Sequence, residues 1–250
     1  MKESLASTSK EDSISRKESF ISGVVWILGL STFIPLGTII LVLSIFINPK
    51  HFDRFIKATC RIIMRALCIR IRVEGLQYVQ PQQTYVFIAN HVNLFDVFVL
   101  YGYIPNFLRG VELDEHFDWP FYGLLIRRLG MIPISQTNAR SAMKSLHHAK
   151  KTIAEGTSII ILPEGGRTLD GQLQPFKRGA FLLAKEAGAD IVPVVMVGAY
   201  QIKRKGSSLI RPGNMTLRFG KPIPHQDIKN LNSAHLASHV QQIMLALFQQ

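Results

Sequence analysis

The chain has 250 residues, of which 47% are hydrophobic and 18% are charged. That length fits one catalytic domain with a small appendage, and the apolar content excludes a chain that is disordered throughout. The two cysteines, Cys60 and Cys68, exclude a disulfide framework and suit a reducing compartment. The formal net charge of +12 indicates an anionic partner, such as nucleic acid, anionic lipid, or an acidic carrier or substrate.

The N-terminal part of the chain predicts a leader and a membrane segment. Residues 1–19 are polar, rich in serine and balanced in charge, which predicts a disordered leader and not a signal peptide. Residues 20–47 carry no charge, and as one helix they would be about 42 Å long, against a hydrocarbon core of roughly 30 Å. Because Pro35 removes a helical hydrogen bond, we expect two helices, over about 20–33 and 36–47, in a hairpin inserted into the membrane. One tilted, kinked span and a buried soluble helix are the alternatives.

A basic segment follows the apolar one directly. Between residues 50 and 72, seven basic side chains and one acidic side chain contribute six of the twelve net positive charges. Within a predicted helix over 50–68, one stripe is basic and consists of Arg54, Lys57, Arg61 and Arg65. This pattern predicts an amphipathic helix on an anionic membrane, and the alternative is a helix packed on the domain. The basic flank indicates the cytoplasmic side. Nucleic acid is not expected as a partner, because no zinc-finger, RRM or KH signature occurs.

Residues 69–250 alternate between strand and helix patterns. Predicted strands cover residues 69–74, 85–89, 107–111, 131–134, 158–162, 191–197 and 215–219. Predicted helices cover residues 94–103, 117–129, 139–155, 177–187 and about 233–248. This alternation predicts an α/β fold with a mostly parallel sheet flanked by helices. In such folds ligands bind beyond the carboxyl ends of the strands.

The first polar strand end follows residues 85–89. It carries Asn90 and His91, and Asp96 comes five residues after the histidine. On one continuous helix these two side chains would point about 140° apart, so they meet only if His91 precedes the helix and Asp96 lies in its first turn. With Asn93 as N-cap, Asp96 takes the third helical position, as in a capping box. The carboxylate could then orient the imidazole as a general base. The alternative is a helix cap with an incidental histidine.

The second polar strand end follows residues 158–162 and is a glycine-rich turn. Gly165 and Gly166 allow a backbone to approach a ligand closely, and Arg167 offers a planar fork of donors that suits phosphate. Lys177 opens the next predicted helix, whose N-terminus also favours anions. The alternative is an ordinary turn with a solvated arginine. The sequence has no Gly-x-Ser-x-Gly elbow and no Walker loop, which argues against a serine acyl-enzyme and a nucleotide-dependent kinase.

Three motifs, in this order, resemble the glycerolipid acyltransferases, in particular the bacterial 1-acyl-glycerol-3-phosphate acyltransferases. The motifs are Asn90-His-x4-Asp96, Pro163-Glu-Gly-x-Arg167 and Ile191-Val-Pro-Val194. The resemblance covers roughly residues 69–222, and a membrane-associated N-terminal segment is also usual in that family. It implies the fold of the glycerol-3-phosphate acyltransferases, with an N-terminal membrane-inserted hairpin.

The resemblance also implies the reaction. A fatty acyl chain would pass from an acyl thioester directly to the free hydroxyl of a lysolipid, above all from lysophosphatidate to phosphatidate in phospholipid biosynthesis. His91 would be the general base and Asp96 would orient it. The acceptor phosphate would be bound by one loop, made of Glu164, Gly165, Gly166 and Arg167. Coenzyme A or acyl carrier protein would bring the acyl group as co-substrate, with no resident cofactor and no metal. The protein would lie in the cytoplasmic or inner membrane, with its active site facing the cytoplasm.

The sequence departs from the family pattern at the acceptor site. Asn93 stands where serine is common, Gly166 stands where threonine or serine is common, and Ser135-Gln136 stands where phosphate-binding members often carry a basic pair. The second phosphate contact could come from Arg109 or Arg140.

Further candidates for substrate binding are Asn90, Lys177 and Pro193. The alternatives to lysophosphatidate acylation are an acyltransferase for another lysolipid, including one with an amino-acid headgroup, and a non-catalytic membrane-binding module.

Overall fold

The structure is a computed structural model that describes residues 15–135 and 139–250, with the backbone alone at 139–142. Within these residues, seven strands form one sheet. The strands are β1 (Ile69–Glu74), β2 (Tyr85–Ala89), β3 (Leu108–Leu113), β4 (Ile132–Ile134), β5 (Ser158–Ile161), β6 (Asp190–Val197) and β7 (Gly213–Phe219). Their spatial order is β1-β7-β6-β2-β5-β3-β4. Every neighbouring pair is parallel except β6 with β7. The predicted α/β fold with a mostly parallel sheet is therefore confirmed.

Helices cover both faces of this sheet. They are α1 (Arg16–Phe46), α2 (Asp53–Ala66), α3 (Asp96–Tyr103), α4 (Tyr122–Arg128), α5 (Ala139–Ala154), α6 (Arg178–Ala187), α7 (Ala199–Ile202), α8 (His225–Ile228) and α9 (Ser233–Gln249). Side chains alternate along a strand, so Tyr85 and Phe87 of β2 enter the core shared with α1 to α4. Val86 and Ile88 enter the second core, which the strands share with α5, α6 and α9. Burial on both faces explains the continuous apolar runs of β2 and β5.

The predicted break of the apolar segment into two helices is wrong. Helix α1 runs without interruption from Arg16 to Phe46 and contains Pro35. A proline inside a helix removes a single backbone hydrogen bond, and contacts with the rest of the protein outweigh that loss. Gly29 lies against Leu67, and Phe33 packs edge-on against Phe98 and Phe121 with ring centroids 5.6 and 5.7 Å apart. The chain reverses only after α1 ends, so the helical hairpin of this protein is formed by α1 and α2.

The boundary predicted for the leader is also corrected in part. Residues 15–19 belong to the start of α1, where Ser15 caps the helix in a capping box with Glu18. The Ser15 hydroxyl accepts from the backbone N–H of Glu18 at 3.2 Å, and the Glu18 carboxylate accepts from the backbone N–H of Ser15 at 3.1 Å. Residues 1–14 of the predicted leader lie outside the described residues.

Helix α2 confirms the helical prediction but not the simple basic stripe. Lys57 is buried, where it pairs with Asp53 at 2.9 Å and donates to the Asn106 carbonyl at 2.9 Å. Arg61 donates to the Gly102 carbonyl at 2.7 Å. The apolar face of α2, including Met64, is packed against the domain. Helix α2 is therefore packed on the domain, as in the alternative interpretation of the sequence. Arg54 and Arg65 remain exposed.

The helix predicted over 117–129 is interrupted. A turn of 3-10 helix covers Asp114–Asp118, and α4 begins only at Tyr122. Between them Pro120 precedes Phe121, whose φ of 60° is in the left-handed region and cannot belong to a right-handed helix.

One helix of the described residues has the length and the apolar composition needed to cross a membrane, and it is α1, with 31 residues. Its small and apolar residues at helical spacing, including Ser22, Val25 and Gly29, are buried against the domain. The other faces of α1 are rich in exposed apolar side chains, among them Phe20, Ile27, Ile34 and Phe46. An exposed apolar surface of this extent is typical of a membrane-contacting helix.

Candidate active site

Two neighbouring strands bring the two polar motifs together. Strands β2 and β5 are parallel neighbours, so their carboxyl ends meet at the same edge of the sheet. His91 follows β2, and its backbone N–H donates to Oε1 of Glu164 at 2.6 Å. The backbone N–H of Thr168 donates back to the carbonyl of His91 at 2.9 Å. The turn after β5 is thus fastened to the backbone of the histidine from both sides.

His91 and Asp96 form the contact that their spacing predicts. The imidazole Nδ1 lies 2.8 Å from Oδ2 of Asp96. His91 precedes α3 and Asp96 is its first residue, which confirms that the pair meets in the first turn. The same carboxylate oxygen accepts from the backbone N–H groups of Val92 at 2.7 Å and Asn93 at 3.0 Å. Three donors therefore converge on one oxygen and fix the carboxylate relative to the ring.

Asn93 does not cap the helix as predicted. Helix α3 begins at Asp96 with Phe95 as its N-cap, and the Asn93 side-chain oxygen accepts from the backbone N–H of Phe95 at 2.8 Å. This is an Asx turn ahead of the helix. The side-chain amide of Asn93 also donates to the carbonyl of Ala199 at 2.8 Å, which connects the segment before α3 to the first residue of α7.

Burial divides the pair into a hidden carboxylate and an accessible imidazole. The side chain of Asp96 is 2% exposed and that of His91 is 26% exposed. Within the described part of the chain, Nε2 of His91 has no hydrogen-bond partner. With Nδ1 held by a carboxylate, Nε2 can accept a proton from a hydroxyl group placed next to it.

Asn90 has a role in joining strands. Its side chain is buried and pairs with the backbone of Met196 in β6, accepting from the N–H at 2.8 Å and donating to the carbonyl at 3.4 Å. The amide is therefore engaged with the protein on both of its polar atoms. It holds β2 and β6 together directly below His91.

The two glycines after β5 are in different situations. Gly165 has a φ of 66°, in the left-handed region, and a Cβ there would lie 2.4 Å from Cε of Lys177. Gly166 has no such φ, and a Cβ there would meet no atom within 4 Å. Only Gly165 is thus required by the shape of the loop, and the space at Gly166 agrees with the side chains that the family pattern has there.

Glu164 supports the loop through backbone groups. Its second oxygen, Oε2, accepts from the backbone N–H of Gln174 at 2.8 Å. Burial raises the pKa of this carboxyl, and the hydrogen bonds from the His91 and Gln174 backbone oppose that rise. Both oxygens face the protein, so Glu164 shapes the site through the loop.

Arg167 is the cation that this loop presents. Its side chain is half-buried, and among the described residues it makes no hydrogen bond or ion pair. A half-buried guanidinium without a carboxylate partner is suited to an anionic ligand. Lys177 is the N-cap of α6, and its backbone N–H donates to the Pro163 carbonyl at 2.8 Å, which closes the loop at its far end.

Arg109 lies away from this site. It pairs in register with Ile159 of β5, which pairs with Val86 of β2, five residues before His91. At about 3.3 Å per residue the separation along the strands is roughly 16 Å. Arg109 instead stacks over the Phe107 ring, with its Cζ 4.2 Å from the centroid, and burial lowers its pKa. The structure therefore does not bring Arg109 to the edge of the sheet that carries His91 and Arg167.

The remaining candidates are Arg140 and Pro193. Arg140 lies in the first turn of α5, but its side chain is outside the described residues, as is Gln136. Pro193 is buried inside β6 in register with Ile88, so it lies within the sheet and below the polar edge. Its carbonyl accepts from the backbone N–H of Gly220 at 2.8 Å.

Lys203 is a cation at this edge that the sequence interpretation missed. It directly follows α7, the short helix after β6, and its side chain is buried. The sequence signal for Lys203 is that residues 191–197 form a predicted strand of the same sheet, and ligands bind beyond the carboxyl ends of such strands. Among the described residues no group of three or more His, Cys, Asp or Glu side chains could hold a metal ion.

The fold and the paired strand ends are those of an acyltransferase. The acyltransferase family profile matches residues 70–197, about half of the chain, and the chain belongs to this family. A solved structure with a similar fold is the 1-acyl-sn-glycerophosphate (LPA) acyltransferase PlsC from Thermotoga maritima, with a TM-score of 0.76 at 20% sequence identity. The similarity covers 93% of this chain and 96% of that one.

Curated relatives are 1-acyl-sn-glycerol-3-phosphate acyltransferases. The one from Cocos nucifera is 31% identical over 170 residues, which are 68% of this chain and 54% of the relative. The one from Chlamydomonas reinhardtii is 30% identical over 145 residues, which are 58% and 43%. The alpha form from Ovis aries is 28% identical over 183 residues, which are 73% and 64%. The chain spans about half the length of the first two of these relatives.

Proposed function

We propose that this protein transfers a fatty acyl chain from an acyl thioester to the free hydroxyl of lysophosphatidate and so forms phosphatidate. The observation that carries the proposal is the His91–Asp96 pair, with Nδ1 and Oδ2 2.8 Å apart at the carboxyl edge of the sheet. Among the described residues the second ring nitrogen of the histidine has no hydrogen-bond partner. The relatives in several organisms are named for acylation of 1-acyl-glycerol-3-phosphate. Coenzyme A or acyl carrier protein supplies the acyl group.

In the proposed reaction His91 is the general base. Nδ1 donates its proton to the hydrogen bond with Asp96, which leaves Nε2 as the acceptor. Nε2 takes the hydroxyl proton of the acceptor as the hydroxyl oxygen attacks the thioester carbonyl carbon. When the resulting tetrahedral intermediate collapses, the carbon–sulfur bond breaks, and the departing thiolate takes the proton from the imidazolium. The buried Asp96 carboxylate stabilises the positive charge on the ring between these two steps.

Arg167 binds the acceptor phosphate in this proposal. It lies in the turn fastened to the His91 backbone by Glu164 and Thr168, so a phosphate held there is positioned relative to the base. Lysophosphatidate keeps its acyl chain in the membrane, and the exposed apolar faces of α1 support a position of the protein at that membrane. The basic residues after α1 favour an anionic, cytoplasmic surface.

The test is an acyl-transfer assay with detergent-purified protein. Labelled acyl-coenzyme A and acyl carrier protein are offered with lysophosphatidate, glycerol 3-phosphate, other lysophospholipids and an amino-acid lysolipid. We expect label in phosphatidate, and we expect His91→Ala to lower turnover by about two orders of magnitude or more, because a general base contributes about 10²–10⁴.

His147→Ala serves as the matched control, since His147 is exposed on α5. Transfer to a different acceptor would keep the reaction but overturn the assignment of lysophosphatidate. Near-normal turnover by His91→Ala would overturn the general base. Protein that is folded and bound to lipid but transfers nothing would favour the membrane-binding module.

A further inference from the structure

Lys203 is a buried cation with no acidic partner. Its side chain is 8% exposed, and within the described residues no carboxylate lies within ion-pair distance of it. Its ammonium donates to the backbone carbonyls of Arg204 and Ser207. A buried charge without a counter-ion is costly, and an ammonium has three donors, of which these carbonyls use two. The arrangement leaves both a charge and a donor for an anion.

Lys203 belongs to the same edge as Arg167. Two contacts join its segment to the site: Tyr200 of α7 donates its hydroxyl to the Leu169 carbonyl at 2.7 Å, and Asn93 donates to the Ala199 carbonyl. Burial and the positive charge of Arg167 lower the pKa of Lys203. The positive charge of Arg167 therefore acts on Lys203, and a ligand with two negative charges would relieve the repulsion between the two cations.

We propose that Lys203 and Arg167 together bind the dianionic phosphomonoester of the acceptor, and that Lys203 sets the preference for a phosphomonoester over a phosphodiester headgroup. This inference rests on the proposed function. A phosphomonoester carries about −1.5 to −2 charges at pH 7, since its second pKa is about 6, whereas a phosphodiester carries one. The combined charge of Lys203 and Arg167, which have no carboxylate partner among the described residues, matches the charge of a phosphomonoester and exceeds that of a phosphodiester.

The proposal accounts for the departure from the family pattern at Ser135-Gln136. There the basic pair common in phosphate-binding members is missing. Lys203 supplies a second positive charge from the end of β6, on the opposite side of β2 from the loop that carries Arg167. The phosphate would then be held from the two strands that flank β2.

The experiment compares two acceptors that differ in a single charge. They are lysophosphatidate and its phosphate methyl ester, with the same acyl chain in the same mixed micelles. The wild type, Lys203→Gln, Lys203→Arg and the control Lys205→Gln are assayed with both. Glutamine keeps N–H donors for the two carbonyls but loses the charge, and Lys205 is an exposed cation of the same loop. Thermal unfolding of each variant reports whether it is folded.

We expect the wild type to prefer the monoester. Lys203→Gln should raise KM for lysophosphatidate about tenfold or more, because it removes a positive charge and a charge-assisted hydrogen bond to the phosphate. For the methyl ester the change in KM should be at most about threefold. Lys203→Arg should keep most of the preference, and Lys205→Gln should keep all of it. Combining Lys203→Gln with Arg167→Gln should give a loss that differs from the sum of the two, as for residues that share one ligand.

Three results would overturn the inference. The first is equal use of lysophosphatidate and its methyl ester by the wild type, a result that is obtained without any variant. The second is Lys203→Gln losing activity equally on the two acceptors. The third is a preference for the monoester that survives in Lys203→Gln. The proposed function fails separately, in the wild-type arm, if neither ester accepts an acyl group.

Discussion

Gly165 and Gly166 provide a sharp test of how the loop after β5 is built. The two residues are adjacent and chemically identical, and the structure assigns them opposite tolerance to a methyl group. At Gly165 the φ of 66° costs an L-residue about 1–2 kcal/mol. In addition, the Lys177 side chain must move from a position 2.4 Å from the new Cβ, at a cost of about 0.5–1.5 kcal/mol for an altered rotamer.

Alanine also restricts the unfolded chain, which offsets about 0.4–1 kcal/mol of this cost. The net expectation for Gly165→Ala is a loss of about 0.5–3 kcal/mol in the free energy of unfolding. At about 2–4 °C per kcal/mol for a chain of this size, the melting temperature falls by roughly 1–12 °C. Gly166→Ala has no positive φ and no close contact, so its melting temperature should stay level or rise.

The functional consequence follows from what the loop carries. Displacing the loop moves Arg167, so Gly165→Ala should raise KM for lysophosphatidate several-fold, while Gly166→Ala should leave it unchanged. Thermal unfolding in detergent and acyl-transfer kinetics measure the two effects. Equal melting temperatures and equal KM values for the two variants would refute the assigned loop geometry.

Two further predictions concern Glu164 and α1. Burial raises the folded-state pKa of Glu164 above its usual value of 4.5, so the folded protein binds the carboxyl proton more tightly than the unfolded chain does. The folded protein therefore loses stability as the pH rises from the unfolded-state pKa through the folded-state pKa. Glu164→Gln removes the titration, and its melting temperature relative to wild type should increase between pH 4 and pH 7; a constant difference would contradict the raised pKa. In α1, a Cβ on Gly29 would lie 2.5 Å from Leu67, whereas one on Gly23 would meet nothing within 4 Å. Gly29→Leu should therefore destabilise the detergent-solubilised protein by about 1–3 kcal/mol and Gly23→Leu should not, as thermal unfolding of both would show.

Much of the catalytic geometry could be predicted because it depends on chain direction in a parallel sheet. His91 and Glu164 follow two strands whose carboxyl ends must meet at the same edge. Helical geometry gave the condition for the His91–Asp96 contact, namely that His91 precedes the helix and Asp96 lies in its first turn. The same reasoning argues against Arg109, because its predicted strand, residues 107–111, places it inside the sheet and away from the carboxyl edge.

The errors have a common cause, which is that tertiary packing overrules local rules. Pro35 predicts a break, but the cost of one lost hydrogen bond is smaller than the benefit of packing Gly29, Phe33 and Gly37 against the domain. The buried Lys57 likewise fits the spacing of a solvated basic stripe, and only its contacts with Asp53 and Asn106 reveal that it faces inward. Contacts between residues that are distant in sequence carry the information that a periodic pattern lacks.

The docking of α1 connects the membrane to the proposed phosphate site. Trp26 donates its indole N–H to the Ser208 carbonyl at 2.7 Å, and the backbone N–H of Ile210 donates to the Ser22 hydroxyl at 2.9 Å. Both contacts hold the segment that begins at Lys203. The helix that would face lipid and the cation that would face phosphate are therefore parts of one packed unit. Such a unit suits an acceptor that has one acyl chain and one phosphate, because the distance between the two anchoring points is fixed by the protein.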